Sequence, residues 1–232
     1  MVVRNCHLAK LKAGYLFPEI NKRKIAFLAS HPGAKLISLG IGDTTEPIVS
    51  EVISGLQKRV EALGTKQGYT GYGPEQGEKE IREKLAQLYH QYYNHKVDAD
   101  EIFISDGSKC DIGRLQVMFG ANQKIAVQDP SYPVYVDTSI IMGQPEIVYL
   151  KCDPSNDFFP DLEKAPKANL LYFCSPNNPT GAAATKEQLT SLVEYCRKNK
   201  MLLIFDSAYA AYIQDRSEEH TSELQSRSAI SY

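Results

Sequence analysis

From about residue 100 onward, short apolar runs alternate with longer segments of helical period. The runs are EIFIS (101–105), KIAVQD (124–129), EIVYL (146–150), NLLYFCS (169–175) and MLLIFD (201–206). Their hydrophobic residues are consecutive rather than alternate, the pattern of strands covered on both faces. Between the first pair lies GSKCDIGRLQVMFG. Between the last pair lies a predicted helix whose start carries a capping box, Thr185 with Gln188 three residues later, and whose apolar face is Leu189, Leu192, Val193 and Cys196. Strands alternating with helices predict an α/β fold, a mostly parallel sheet flanked by helices. In such sheets ligands sit beyond the carboxyl ends of the strands, so chemistry is sought in the residues just after each run.

The N-terminal third reads differently. Residues 1–35 predict irregular or weakly helical chain, and KLISLGIGD (35–43) predicts a short strand closed by glycines. Val49, Val52, Ile53, Leu56, Val60 and Leu63 recur at helical spacing, with Pro47 suited to the first turn. GYTGYGPEQG (68–77) is a glycine-rich loop. The helix predicted after it carries Ile81, Leu85, Leu88, Tyr89 and Tyr92 on one face, with Glu and Lys opposite.

Composition narrows the class. The chain has 232 residues, a net charge of −2, 43% hydrophobic and 23% charged residues. This is the make-up of a soluble globular protein, with no electrostatic footprint for nucleic acid or an anionic membrane. No apolar run approaches the roughly 20 residues that span a bilayer, and MVVRNCHLAK lacks the apolar centre of a secretory signal. Five scattered cysteines without a C-x-x-C pair fit free thiols in a reducing, cytoplasmic setting. The five histidines show no metal-ligand spacing, so no metal is expected.

The run ends carry the candidate chemistry. Asp106-Gly107-Ser108-Lys109 opens a helix, where free N–H groups attract anions and a hydroxyl and a cation would assist with a phosphate. Tyr132, held between Pro130 and Pro133, is a stiffly presented face for a flat ring. In Pro176-Asn177-Asn178-Pro179-Thr180-Gly181, Pro179 forces Asn178 out of the helical region and fixes its amide. Asp206, with Tyr209 three residues on, puts a carboxylate at the sheet edge, costly unless it meets a cation or donors. An ordinary turn, a core tyrosine, a plain loop or a helix cap would explain each feature alone. Together they describe a pocket for an aromatic, phosphorylated, basic heterocycle.

The motifs AKLKAGYLFPEI, ISLGIGDTTEPI, GYTGYGPEQGE, ISDGSKCDIGR, VQDPSYPVYVD, SPNNPTG and FDSAYAAYI resemble those of fold-type I aminotransferases dependent on pyridoxal 5'-phosphate (PLP). GYLFPEI, GYTGYGPEQGE and DGSKCDIGR point within them to the LL-diaminopimelate aminotransferase branch. The resemblance implies the aspartate aminotransferase-like fold. It also implies transamination between LL-2,6-diaminopimelate and 2-oxoglutarate, giving tetrahydrodipicolinate and glutamate, a step of lysine biosynthesis. By resemblance Ser108 and Lys109 lie near the PLP phosphate, Tyr132 stacks on the ring, Asn178 and Tyr209 bond its 3-oxygen, and Asp206 pairs with its nitrogen. Tyr72 resembles the tyrosine that reaches the phosphate in the neighbouring subunit, implying a homodimer. Tyr15, Gly42, Lys109, Tyr132 and Asn178 match positions that meet the amino-acid or 2-oxo-acid substrate.

The chain departs from the family at its end. The Schiff-base lysine of the family lies downstream of the aspartate strand, yet the last lysine here is Lys200, and only Arg216 and Arg227 follow Asp206. RSEEHTSELQS (216–226) is the one-frame translation of a common sequencing-library adapter. The expected organisation is therefore an N-terminal arm with part of a small domain (1–45), an incomplete, truncated PLP-binding domain (46–215) and an adapter-derived tail (216–232). Such a fragment is expected to be inactive. The alternatives are an aminotransferase for aspartate, alanine or aromatic amino acids, or a non-catalytic module of the same fold. A dinucleotide-binding enzyme is disfavoured, because GIGDTTEP has only part of the glycine fingerprint and no acidic partner follows.

Overall fold

The computed structural model describes residues 2–11, 16–38, 46–213 and 229–231. The chain divides into two compact units, one of residues 12–74 and one of residues 1–11 with 75–232. In the first, helix α1 (Leu16–Ser30) is regular where the sequence predicted irregular or weakly helical chain. An Arg23–Glu19 pair at 2.9 Å links successive turns of it. Lys35–Ser38 is not the predicted strand, and the rest of that run lies outside the described residues. A strand exists only through a partner's N–H and C=O groups, and none lies beside this segment among the described residues. Helix α2 (Ser50–Leu63) matches the predicted periodicity, although Pro47 precedes it rather than opening it. Its apolar residues Val52, Ile53, Leu56, Val60 and Leu63 are exposed.

In the second unit, helix α3 (Lys79–Tyr93) buries Arg82, while Ile81, Leu88 and Tyr92 of the predicted apolar face stay exposed. Arg82 is tolerated inside because its guanidinium donates to the Gly77 and Ala99 carbonyls at 3.1 and 2.6 Å and to Asp100 at 3.1 Å. The run EIFIS is the other departure: Ile102–Ser105 forms no strand. The Ile104 N–H bonds the Gln76 carbonyl, and the Gln76 amide holds the Asp100 and Ile102 carbonyls. With Phe103 73% exposed, this run has no second layer to bury it among the described residues.

The other four runs are strands. Helix α4 (Ser108–Phe119) leads to β1 (Lys124–Asp129), α5 (Pro133–Ile141) and β2 (Glu146–Lys151). Next come β3 (Leu170–Cys174), α6 (Lys186–Asn199) and β4 (Leu202–Asp206). These strands are parallel, and with a fifth, β5 (Ala229–Ser231), the order is β2-β1-β3-β4-β5. The expected family fold, a mostly parallel sheet between helices, is the one observed. Ile125, Val127, Leu170, Tyr172 and Ile204 pack with Ile112 of α4 and with Val134 and Tyr135 of α5. The alternate residues Ala126, Leu171, Phe173, Leu203 and Phe205 pack with Leu189, Leu192 and Cys196 of α6. Each large side chain so buried contributes about 1.5–3 kcal/mol, which is why the central strands read as unbroken apolar runs. Strand β5 lies within residues 216–232, the segment the sequence sets apart. It pairs through its backbone with the open edge of β4, and an edge of free N–H and C=O groups templates any extended segment. Among the described residues no helix is long and apolar enough to cross a membrane.

Candidate active site

Strand order reverses between β1 and β3, since the chain continues outward from β1 to β2 on one side and from β3 to β4 on the other. Such a reversal leaves a crevice at the carboxyl ends. Here the β1–β3 register runs only as far as Val127 and Tyr172. Beyond it the buried Gln128 side chain takes over, its Oε1 accepting the Cys174 N–H at 2.7 Å. The two chains then separate into the loops that carry Tyr132 and Asn178.

Asp206 ends β4 beside this opening and is 5% exposed. Its Oδ2 accepts the Tyr135 hydroxyl at 2.6 Å, and its Oδ1 accepts the Ala208 N–H at 3.0 Å. Cys174 lies opposite in the β3–β4 register. Burial, followed by the charge of Asp206, pushes the Cys174 thiol up to about 11. Tyr135 is fully buried, and burial first, then the Cys174 thiol and Asp206, hold its hydroxyl well above the usual phenol range. Its ring stacks on Tyr172 with centroids 5.1 Å apart and meets Tyr132 edge-on at 5.8 Å. On the adjoining loop, the Asn178 amide approaches the Tyr209 hydroxyl at 3.5 Å. The Asn177 amide donates to the Pro130 carbonyl at 3.0 Å, tying the β3 loop to the β1 loop.

Tyr132 is thus joined to Asp206 through Tyr135, and Asn178 to Tyr209 directly, while the Asn177–Pro130 bond ties together the loops that carry Asn178 and Tyr132. Ser108 and Lys109 open α4, which packs on the same face of the sheet as α5. Gly107 caps that helix at φ 126°, without a side-chain cap on its N–H groups. Arg114 clamps Asp106 with bonds of 2.6 and 3.2 Å, steadying the turn. Lys109 acts electrostatically on Asp137 of α5. Tyr72 is fully exposed and belongs to the unit of residues 12–74. Tyr15 and Gly42 lie outside the described residues. Sequence reasoning missed Tyr135, Asn177, Gln128 and Cys174. Two signals pointed to Tyr135: its spacing, one helical turn after Tyr132, and its place within VQDPSYPVYVD.

The residue set fits PLP. A buried carboxylate with donors on both oxygens, an adjacent aromatic face, an amide beside a phenol and a helix start without a side-chain cap answer the ring nitrogen, ring face, 3-oxygen and phosphate. The sequence pattern of the family described as aminotransferase class I and II matches residues 34–228. The chain belongs to this family. It is 53% identical over 234 residues to a probable LL-diaminopimelate aminotransferase, chloroplastic, of Oryza sativa subsp. japonica, covering 96% of this chain and 50% of that protein. It is 52% identical over 225 residues to an LL-diaminopimelate aminotransferase of Protochlamydia amoebophila, covering 92% and 54%. Among solved structures, L,L-diaminopimelate aminotransferase from Chlamydomonas reinhardtii superposes with a TM-score of 0.90 at 50% identity, over 99% of this chain and 59% of that one. A Thermus thermophilus aspartate aminotransferase double mutant shares the fold at a TM-score of 0.85 and 21% identity, over 100% and 60%. The chain spans about half the length of the curated relatives it matches.

Proposed function

We propose that the protein to which this chain belongs is a PLP-dependent aminotransferase that exchanges an amino group between LL-2,6-diaminopimelate and 2-oxoglutarate. Tetrahydrodipicolinate and glutamate are the products, and the step serves lysine biosynthesis. The observation that carries this reading is the buried Asp206 carboxylate at the carboxyl end of β4, held by Tyr135 and by the Ala208 N–H. The names of relatives about half identical to the chain supply the substrate.

Each residue has a task in this reading. Asp206 would face the ring nitrogen and favour its protonated form, because an opposite charge nearby stabilises a cation. Tyr132 would cover one ring face, and Asn178 and Tyr209 would hold the 3-oxygen. Ser108, Lys109 and the start of α4 would take the phosphate. Tyr15, Gly42, Lys109, Tyr132 and Asn178 would meet the substrate. When bound, PLP supplies a sink for the electron pair left as the substrate Cα–H bond breaks. No lysine follows Asp206 in the chain. The group that would hold PLP covalently and move the Cα proton is therefore assigned to the remainder of the protein, and the 232-residue chain is expected to be inactive. A homodimer, with Tyr72 reaching the neighbouring copy's phosphate, and a cytoplasmic location complete the proposal.

The test is a comparison of amino donors with the uninterrupted protein read from the gene beyond codon 215. LL-2,6-diaminopimelate should be preferred over aspartate with 2-oxoglutarate as acceptor. Preference for aspartate would reassign the substrate, and no transamination with either would overturn the enzyme reading.

A further inference from the structure

The hydroxyl that holds Asp206 comes from Tyr135, a residue to which the sequence alone assigned no role. We propose that Tyr135 is a positioning residue, which fixes the Asp206 carboxylate and thereby sets how strongly the site selects a ring bearing a basic nitrogen. The proposal rests on the cofactor reading above and extends it.

Tyr135 is held at three points. Its ring lies against Tyr172 at 5.1 Å with 14° between the planes, and it meets the Tyr132 ring at 5.8 Å and 83°. Its carbonyl accepts the Ser139 hydroxyl at 2.6 Å. Gln116 donates from one amide nitrogen to the Ser139 hydroxyl at 2.9 Å and to the Tyr172 hydroxyl at 2.7 Å, anchoring the stack from behind. The phenol therefore cannot swing, and its O–H meets Asp206 Oδ2 at 2.6 Å while the backbone fixes Oδ1. With both oxygens engaged, the carboxylate has one orientation.

The energetics favour a role for this contact. A carboxylate that is 5% exposed loses most of its hydration, and donors replace it only in the directions they occupy. Across the sheet its neighbour is the Cys174 thiol, which burial keeps protonated and which adds no positive charge. Burial likewise keeps the Tyr135 hydroxyl protonated, so it remains a donor at every working pH. A ligand N–H facing a fixed carboxylate gains a charge-assisted bond, whereas a C–H in its place leaves that carboxylate unanswered. If the Tyr135 O–H is removed, the carboxylate can turn and the distinction between N–H and C–H weakens.

The experiment is a calorimetric titration of the 232-residue chain with two ligands that need no lysine. They are pyridoxamine 5'-phosphate and its analogue with the ring nitrogen replaced by C–H. The original chain should bind the first more tightly. In Tyr135→Phe the ratio of the two Kd values should fall roughly tenfold or more, the loss expected for one hydrogen bond to a charged group. Tyr195→Phe, which deletes a hydroxyl bonded to the Ala165 and Pro166 carbonyls on the α6 side of the sheet, should leave the ratio unchanged. Should the cavity in Tyr135→Phe prevent folding, 4-fluorophenylalanine at position 135 fills the volume without a donor and should show the same fall. 4-Aminophenylalanine there restores an N–H and should recover the ratio. A ratio indifferent to the donor at position 135 overturns the proposal while leaving the cofactor reading intact. If the original chain does not separate the two ligands, the cofactor reading fails and the proposal fails with it.

Discussion

The Asn177 side chain crosses from the loop after β3 to the loop after β1, its Nδ2 donating to the Pro130 carbonyl oxygen at 3.0 Å. The same nitrogen reaches Thr180 Oγ1 at 3.1 Å, and Asn177 is 4% exposed. Tyr132 lies two residues beyond Pro130 and Asn178 directly follows Asn177, so one buried amide ties together the loops that carry the proposed stacking ring and the proposed 3-oxygen ligand. Asn177→Ala should leave the Pro130 carbonyl without its donor and cost about 1–3 kcal/mol of stability. Urea denaturation checks this, and a midpoint equal to that of the original chain would remove Asn177 from the account.

Helix α6 begins with a reciprocal pair of bonds. The Gln188 N–H donates to Thr185 Oγ1 at 3.3 Å, and the Thr185 N–H donates to Gln188 Oε1 at 2.8 Å. Thr185→Ala removes one half of that box and should destabilise the chain by about 1 kcal/mol. Thr185→Ser, which keeps the hydroxyl, should lie close to the original in the same denaturation measurement.

These two contacts differ in how far the sequence announced them. The capping box is local, so Thr185 and Gln188 reveal it from spacing alone. The strands β1 to β4 and the two-sided burial of Tyr172 and Phe205 were legible for a similar reason, because consecutive apolar residues are the pattern of a strand covered on both faces. The run EIFIS carried the same signal and forms no strand, since a strand also needs a neighbour and Ile102–Ser105 has none among the described residues. On α3 the apolar spacing was right as periodicity and wrong as burial, because a guanidinium with three acceptors goes inside as readily as Ile81. At the site, Tyr132, Asn178, Asp206 and Tyr209 were visible as residues following strands. Tyr135 and Asn177 were not, because their partners are 71 and 47 residues away in the chain and only the packed sheet brings them together.

Alkaline pH should weaken the fold through its buried thiols. Burial pushes Cys174 and Cys152 up to about 11 and Cys196 up to about 12, from an ordinary value of 9.0. Raised values mean that the native state keeps protons the unfolded chain has already released. Stability from these groups is therefore complete below pH about 9 and lost as pH rises toward 11–12. Tyr135 and Tyr172, also raised by burial, act in the same direction at the upper end. Urea midpoints should hold level up to pH about 9 and fall from there to about 10.5, and Cys196→Ala should flatten the slope. A flat profile in the original chain would contradict it.

The last prediction concerns the carboxylate itself. If Asp206 holds the ring nitrogen in its protonated form, removing it takes away the charge that makes the ring an electron acceptor, and the transition state for Cα–H cleavage loses more than the bound ground state does. In the uninterrupted protein, Asp206→Ala should therefore lower kcat by at least ~10³-fold, the scale seen when a preorganised charge partner is deleted from a dry site. KM for the amino donor should move much less, since Asp206 is not among the residues assigned to the substrate. Steady-state kinetics separate the two parameters. A variant with near-normal kcat would show that the buried acid at the end of β4 serves only the loop it caps through the Ala208 N–H.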